Sequence, residues 1–272
     1  RQMGAAWSSN REPLPPSEKL KLASDHSMYL GATPAPMPMP AKASGRTRWG
    51  KDTRHRIAIL GGSFDPITDG HLKCACEIVH ARVADEVWIV PCGRRPDKPS
   101  LKTPYMHRLI MCHLAVNTSF GSQFPIRVCD IEAAEESALS TYHLMLKLQQ
   151  TYPEPRFMFV LGADLIESIK TWPAPNVPNA GELLYNNFDF VVLERPGFTI
   201  PNSLPPNFTK LVPPVGSKIV TEDVSSSLIR NRIQNYGESE RSELQHGHFQ
   251  AVDGLLTPAV LAHIIRYRLY SP

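Results

Sequence analysis

No stretch of this chain approaches the ~18 consecutive apolar residues that a membrane-spanning helix requires, and no signal-like apolar run stands near residue 1. Cysteine is scarce. The five present (Cys74, Cys76, Cys92, Cys112 and Cys129) are odd in number and contain no Cys-x-x-Cys, which excludes a paired disulfide framework and points to a reducing compartment. Cys74 and Cys76 have the spacing of half a metal site, but no second half follows, so they read as ordinary helix cysteines. Charge of one sign is lacking too. A formal net charge of +3 is too mild for a nucleic-acid or membrane-surface protein. Even that excess is uneven: residues 1–56 hold ten Lys/Arg against four Asp/Glu, which leaves 19 against 22 and a slightly acidic remainder. No internal repeat is evident. These absences predict a soluble intracellular protein, of cytoplasm or nucleus, with neither nucleic acid nor membrane as partner, and they admit a homo-oligomer.

What is present divides near residue 52. Residues 1–52 carry Leu14-Pro15-Pro16 and the run Pro34-Ala35-Pro36-Met37-Pro38-Met39-Pro40 among scattered Ser, Arg and Lys. Such a segment cannot bury enough apolar surface to offset its ordering entropy, so a disordered N-terminal extension is expected, with at most a short helix around Ser17–Leu22. The remainder, 53–272, is long enough for one folded domain, and a hydrophobic share of 42% for the chain supports a proper core.

That domain is organised around Ile57–Leu72. Ile57-Ala58-Ile59-Leu60 has the continuous apolar character of a buried parallel strand. Gly61 and Gly62 allow a sharp turn and close approach to a ligand, and Ser63, Asp65, Pro66 and Thr68 build turns and helix starts. A helix is expected over Leu72–Val83. A strand, a Gly-rich turn and a helix start make an anion site, because amide N–H groups point outward there. Thr68 and His71, three residues apart, are placed to meet one phosphate together.

From Arg56 onward β and α patterns alternate. Strands are expected at Glu86–Val90, Ile126–Asp130, Arg156–Leu161 and Phe188–Leu193, with a weak last one from Lys210–Pro213 and Ser217–Val220. Helices are expected at Tyr105–Val116 (through Met106, Leu109, Ile110 and His113), at Thr141–Gln150, from Leu165, and at Ser225–Tyr236 and Pro258–Tyr270. The alternation predicts an α/β, Rossmann-like doubly wound parallel sheet in a single domain. Ligands of such sheets bind where loops leave the carboxyl ends of the strands. Loops 61–71, 91–98, 162–164 and 194–197 leave at that edge and are the richest in Gly, Ser, Asp, Arg and Lys.

The residues suited to chemistry lie in or near those loops. His71 sits at the Gly-rich junction. Lys98 follows Arg94 and Arg95, with Arg108 further on; the run suits a solvated face as well as a grip on outer phosphates. Ser225, Ser226 and Ser227 stand at a helix start with Arg230 one turn in, able to cap the helix or, the favoured reading, to donate to phosphate oxygens. Trp172, eight residues after Asp164, is either a core aromatic or a loop aromatic that stacks on a flat ring. His246-Gly247-His248 reads as loop.

These motifs, in this order, resemble the nicotinamide/nicotinate mononucleotide adenylyltransferases of the HxGH nucleotidyltransferase superfamily over residues 56–270. Gly61–Leu72 is similar to the family's opening signature, with Thr68 in its first His position. Val224–Arg230 is similar to Ile-Ser-Ser-Thr-x-x-Arg, with Ser227 for Thr. Pro91-x-Gly93, Lys98 and Arg108 follow the second loop, where Asp97 stands for a frequent His. Gly162-Ala163-Asp164 with Trp172 follows the nucleotide- and ring-binding stretch, whereas Ser140–His143 departs from the family's aromatic or Thr. Leu256-Thr257-Pro258 through Leu269-Tyr270 looks like its C-terminus.

The resemblance implies an enzyme that transfers the AMP moiety of ATP to nicotinamide or nicotinate mononucleotide. The products would be NAD or its deamido form and pyrophosphate, by in-line attack without a covalent intermediate. It implies that His71 and Thr68 hold the α- and β-phosphates, Lys98 the outer ones, and Ser225, Ser226, Ser227 and Arg230 the triphosphate. Gly162 and Asp164 would contact the nucleotide, Trp172 would stack on the pyridine ring, and Gly62, Ser63, Phe64 and Arg195 would line the mononucleotide side. Mg²⁺ would be carried by substrate and water rather than a protein cage. HxGH alone also fits cytidylyltransferases or pantetheine-phosphate adenylyltransferase, and a non-catalytic nucleotide-binding or chaperone-like role is the rival of another class. Removing residues 1–52 is expected to leave adenylyl transfer intact in a product-formation assay; an insoluble or inactive product would mean that the arm packs on the domain.

Overall fold

The computed structural model describes residues 53–95, 98–194, 198, 200–201, 203–213, 216, 218–219, 224–234, 242 and 252–270. They fall in one compact unit, Thr53–Pro272. The expected extension 1–52, the short helix within it, Asp97, Arg195 and the 246–248 loop lie outside the described residues, as do Ser217 and Val220.

Six strands, β1 (Arg56–Gly62), β2 (Glu86–Pro91), β3 (Ile126–Val128), β4 (Arg156–Gly162), β5 (Asp189–Leu193) and β6 (Phe208–Lys210), form one sheet in the order β3-β2-β1-β4-β5-β6. Every pairing is parallel. The order reverses between β1 and β4, so the crossovers on either side of that reversal put helices on both faces. The central strands are apolar because they are covered twice: Ile57, Ala58, Ile59, Val87, Ile89, Phe190 and Val191 are at most 2% exposed. The expected Rossmann-like doubly wound sheet is the observed architecture.

At the reversal the strands part. β1 stays in register with β2 up to Gly62↔Pro91, but with β4 only up to Ile59↔Phe159. Both β1 and β4 run on to a glycine, Gly62 and Gly162, so a crevice opens between their carboxyl ends. That is the topological switch point at which open α/β sheets bind ligands.

The helices are α1 (Asp69–His80), α2 (Tyr105–Ser119), α3 (Thr141–Thr151), α4 (Ala180–Asn187), α5 (Ser226–Gln234) and α6 (Pro258–Arg266). Four expectations are corrected. α1 starts earlier than Leu72, because Thr68 is its N-cap and His71, at the third position, completes a capping box. α2 buries a different face: Met106 and Ile110 are exposed, whereas Arg108, Leu109, Met111, Cys112, Ala115 and Val116 turn inward. The longer apolar series through four turns outweighs the shorter one in its first half. The helix expected from Leu165 is instead two short 3₁₀ turns, Ala163–Leu165 and Ser168–Thr171. The last strand is Phe208–Lys210, fixed by Phe208 stacking on Phe190 at 4.4 Å and by the Asn207 amide donating to the carbonyls of Tyr185 and Phe188.

Gly181, at the start of α4, packs against the second 3₁₀ turn so closely that a Cβ there would overlap the carbonyl oxygens of Lys170 and Ile169. Trp172 caps that turn. Gly181→Ala is therefore expected to destabilise the domain by about 1–3 kcal/mol, as overpacking does, and to shift Trp172 fluorescence. A denaturation midpoint equal to wild type would mean that the approach is not tight.

Candidate active site

The first loop, Ser63–Thr68, has no ladder to satisfy its backbone, and side chains from distant segments do so instead. The Arg108 guanidinium donates to the Ser63 carbonyl at 2.7 Å. Arg230 donates to the Asp65 carbonyl at 2.6 Å. The Ser226 hydroxyl donates to the Pro66 carbonyl at 2.7 Å. The loop so held is unusual in two places: Phe64 is left-handed, with φ 44°, and the Asp65–Pro66 peptide is cis. Phe64 is 2% exposed, lies over Gly62, where a Cβ would meet its ring, and stands edge-on to His71 at 5.1 Å.

At the start of α1, His71 Nδ1 accepts the Thr68 main-chain N–H at 3.0 Å and lies 2.8 Å from the Thr68 hydroxyl. An accepting Nδ1 puts the proton of the neutral ring on Nε2, so that the opposite nitrogen is a donor. Thr68 itself is 1% exposed, and its hydroxyl also reaches the Val224 carbonyl at 3.2 Å. Its side chain faces protein, and it fixes the imidazole.

The second loop is joined to the first. Lys98, exposed, donates through Nζ to Ser63 Oγ at 3.2 Å. Arg108, which the sequence left open between a solvated face and a grip on phosphates, is 1% exposed and acts as a brace. Besides Ser63 it takes the carbonyls of Gly93 at 3.1 Å and Thr103 at 3.2 Å. Glu132, 2% exposed, grips the other side of the same glycine, accepting the Gly93 N–H at 2.8 Å and the Leu139 N–H at 3.0 Å. Burial pushes the Glu132 carboxyl above the usual carboxylate range, against the pull of those two amides.

At the start of α5 the three hydroxyls have different partners. Ser225 Oγ accepts the Leu228 N–H and so caps the helix; Ser226 holds Pro66; Ser227 Oγ accepts from Arg230 at 3.1 Å. Arg230 thus links the helix to the loop. Across the crevice, Gly162 ends β4 and Asp164 lies in the 3₁₀ turn that follows. Trp172 is partly buried against the core, with Nε1 donating to Ser168 Oγ at 3.3 Å. At the start of α3, Ser140 caps the helix and faces the His143 ring at 3.1 Å.

The fold therefore brings Gly62, Ser63, Phe64, Thr68, His71, Lys98, Ser225, Ser226, Ser227 and Arg230 into one bonded cluster. It sets Gly162, Asp164 and Trp172 on the neighbouring strand end. Three participants escaped sequence reasoning. Glu132 sits in an ordinary-looking acidic run, Thr103 in a polar loop, and Tyr270 near the chain end, yet the Tyr270 hydroxyl donates to Asp65 Oδ1 at 2.6 Å. No local pattern signals such contacts.

Comparison with known proteins bears on this arrangement. A cytidylyltransferase-like family model matches residues 59–232. The chain is 33% identical over 215 residues to the probable nicotinate-nucleotide adenylyltransferase of Oceanobacillus iheyensis, covering 79% of this chain and 96% of that one. It is 32% identical over 181 residues to the nicotinate-nucleotide adenylyltransferase of Bacillus subtilis, covering 66% and 86%. Among solved structures, the Plasmodium falciparum nicotinic acid mononucleotide adenylyltransferase complexed with NaAD superposes with a TM-score of 0.61 at 29% identity, covering 79% of this chain and 97% of that one. With the family model spanning the first loop through α5, the chain belongs to the cytidylyltransferase-like nucleotidyltransferases, within their mononucleotide adenylyltransferase branch.

Proposed function

We propose that this protein transfers the adenylyl group of ATP to nicotinate mononucleotide, giving a dinucleotide for NAD biosynthesis and pyrophosphate, with nicotinamide mononucleotide as the alternative acceptor. The acid is placed first because the similar proteins are named for it and the Plasmodium structure holds NaAD. The observation that carries the reading is the docking of α5 on the first loop through Arg230–Asp65 and Ser226–Pro66. It brings the helix start that carries Arg230 and three serines onto the loop that leads into His71.

In the proposed reaction a phosphate oxygen of the mononucleotide attacks the α-phosphorus of ATP. The new P–O bond forms as the bond to the bridging oxygen of the β-phosphate breaks, and pyrophosphate leaves. The nucleophile is already anionic, so no general base is needed, and rate comes from positioning and charge stabilisation. His71 donates from Nε2 to the α- and β-phosphates while Thr68 holds the ring. Lys98 takes the outer phosphates. Ser225 and Ser227 use their oxygens as acceptors within the protein, which leaves each O–H to donate to the triphosphate. Ser226 contributes its place at the helix start, where the dipole favours anions, and Arg230 supplies full charge. Gly162 and Asp164 meet the nucleotide, Trp172 the pyridine ring, and Gly62, Ser63 and Phe64 the mononucleotide side; Arg195 is assigned there from sequence alone.

Among the described residues no three His, Cys, Asp or Glu side chains gather as a metal site, and the Asp65 carboxylate of the first loop is already taken at Oδ1 by the Tyr270 hydroxyl. This donor set suits a Mg²⁺ that arrives on the triphosphate, ligated by phosphate and water. When bound, the ion spreads the negative charge of the leaving group.

Incubation with ATP, Mg²⁺ and either mononucleotide tests the reading directly: dinucleotide and pyrophosphate are expected in equal amounts, and no product with either acceptor would sink it. His71→Ala should lower kcat ~10²-fold or more with the fold intact, as loss of a donor to transition-state charge does; an unchanged rate removes His71 from catalysis. Trp172→Ala should mainly raise the mononucleotide KM, and an effect confined to ATP would contradict its place at the pyridine ring.

A further inference from the structure

We infer that Tyr270 is a positioning residue of this site, holding the Asp65 carboxylate away from Arg230 so that the Arg230 charge stays available to phosphate. The inference rests on the proposed adenylyl transfer and assigns a task to the end of the chain.

The backbone goes out of its way to place this side chain. α6 ends at Arg266, and the Leu269 N–H returns to the Ile264 carbonyl at 3.0 Å. Arg268 and Tyr270 are both left-handed, with φ 50° and 66°. Neither is glycine, and such conformations persist only where surroundings over-determine them. α6 is itself anchored on α2, where His107 and His263 lie 3.0 Å apart and the Tyr267 ring packs on both. His107 directly precedes Arg108, the brace of the first and second loops. The Tyr270 ring thus approaches the first loop from a platform that already fixes that loop.

The phenol oxygen joins three segments. Its O–H donates to Asp65 Oδ1 at 2.6 Å, and the Thr103 side chain, from the stretch between the second loop and α2, acts on the same phenol. Burial, reinforced by the Asp65 charge, keeps the phenol protonated well beyond its usual range, so it is a donor at every working pH. Asp65 is 2% exposed and directly follows the left-handed Phe64.

Arg230 shows why that donor matters. Its guanidinium bonds the Asp65 carbonyl at 2.6 Å, yet the Asp65 carboxylate, on the same residue, stays 4.0 Å away. A buried carboxylate and a guanidinium this near would close into a short bidentate pair if nothing held them apart. With Tyr270 occupying Oδ1, Arg230 keeps its bonds to the carbonyl and to Ser227, and its charge is not cancelled at contact distance. Without the hydroxyl, the carboxylate turns to Arg230, draws it from Ser227 and offsets the charge that the triphosphate needs in the transition state.

The test is a double-mutant cycle on the full chain, with ATP and nicotinate mononucleotide as substrates. Tyr270→Phe removes only the hydroxyl. Its kcat should fall about ten- to a hundredfold, the scale of a misplaced charged group, with the ATP KM within about threefold of wild type. Tyr267→Phe, an exposed tyrosine on the same turn, should leave kcat and KM unchanged. On an Asp65→Asn background, where no carboxylate remains to capture Arg230, Tyr270→Phe should cost less than about threefold. A kcat that is unchanged, or that falls only as far as the folded fraction does, overturns the inference. So does an equal loss on both backgrounds, which would mean simple structural support. An inactive wild type under the same conditions is a failure of the proposed function, and the two failures are thereby distinct.

Discussion

The geometry of the carboxyl edge depends on charged and hydroxyl donors taking the carbonyls of one short loop. The Ser63, Asp65 and Pro66 carbonyls are held by Arg108, Arg230 and Ser226, which come from two helices far apart in sequence. The loop lies beyond the strand ladder that would otherwise pair these groups, and burying them unpaired would cost about 1–3 kcal/mol each. The donors must therefore be in place for the loop to exist, and one of them, Arg230, is also proposed to act on phosphate. Assembly of the fold and assembly of the site become one event.

The two guanidinium contacts differ in kind. Arg108 spends its donors on the carbonyls of Ser63, Gly93 and Thr103, so its charge is enclosed by backbone dipoles. With Glu132 on the Gly93 amide, it fixes where the basic second loop leaves the sheet, and so where Lys98 can reach. Arg230 is half-buried and donates to one carbonyl and one hydroxyl, with the Asp65 carboxylate 4.0 Å away. Rigid placement of donors before substrate arrives is what electrostatic catalysis requires, since no reorganisation is then needed at the moment of reaction.

Much of this was legible in the sequence because it is local. The apolar runs at Ile57–Leu60 and Phe157–Leu161, the glycines that end their strands, and the Ser225–Arg230 helix start carry their own periodicity and turn chemistry. Their order implied a parallel sheet with ligand loops on one edge. What stayed hidden is set by tertiary contact. Nothing near Arg108 distinguishes it from the exposed cations before it, and only the fold shows it enclosed. Thr68 looks like a phosphate ligand in a linear motif, but packing against Val224 turns its hydroxyl inward. The stretch after Asp164 has helical composition, yet the close approach of Gly181 belongs to α4 and cannot be read locally. Tyr270 is two hundred residues from its partner.

The central claim is that a pre-positioned loop with its clamped cations promotes one direct displacement at the α-phosphorus. Turnover of an ATP analogue made chiral at that phosphorus, with the configuration of the dinucleotide product read afterwards, tests it most directly. In-line transfer to the mononucleotide predicts inversion; retention would require an adenylylated enzyme and would contradict the account.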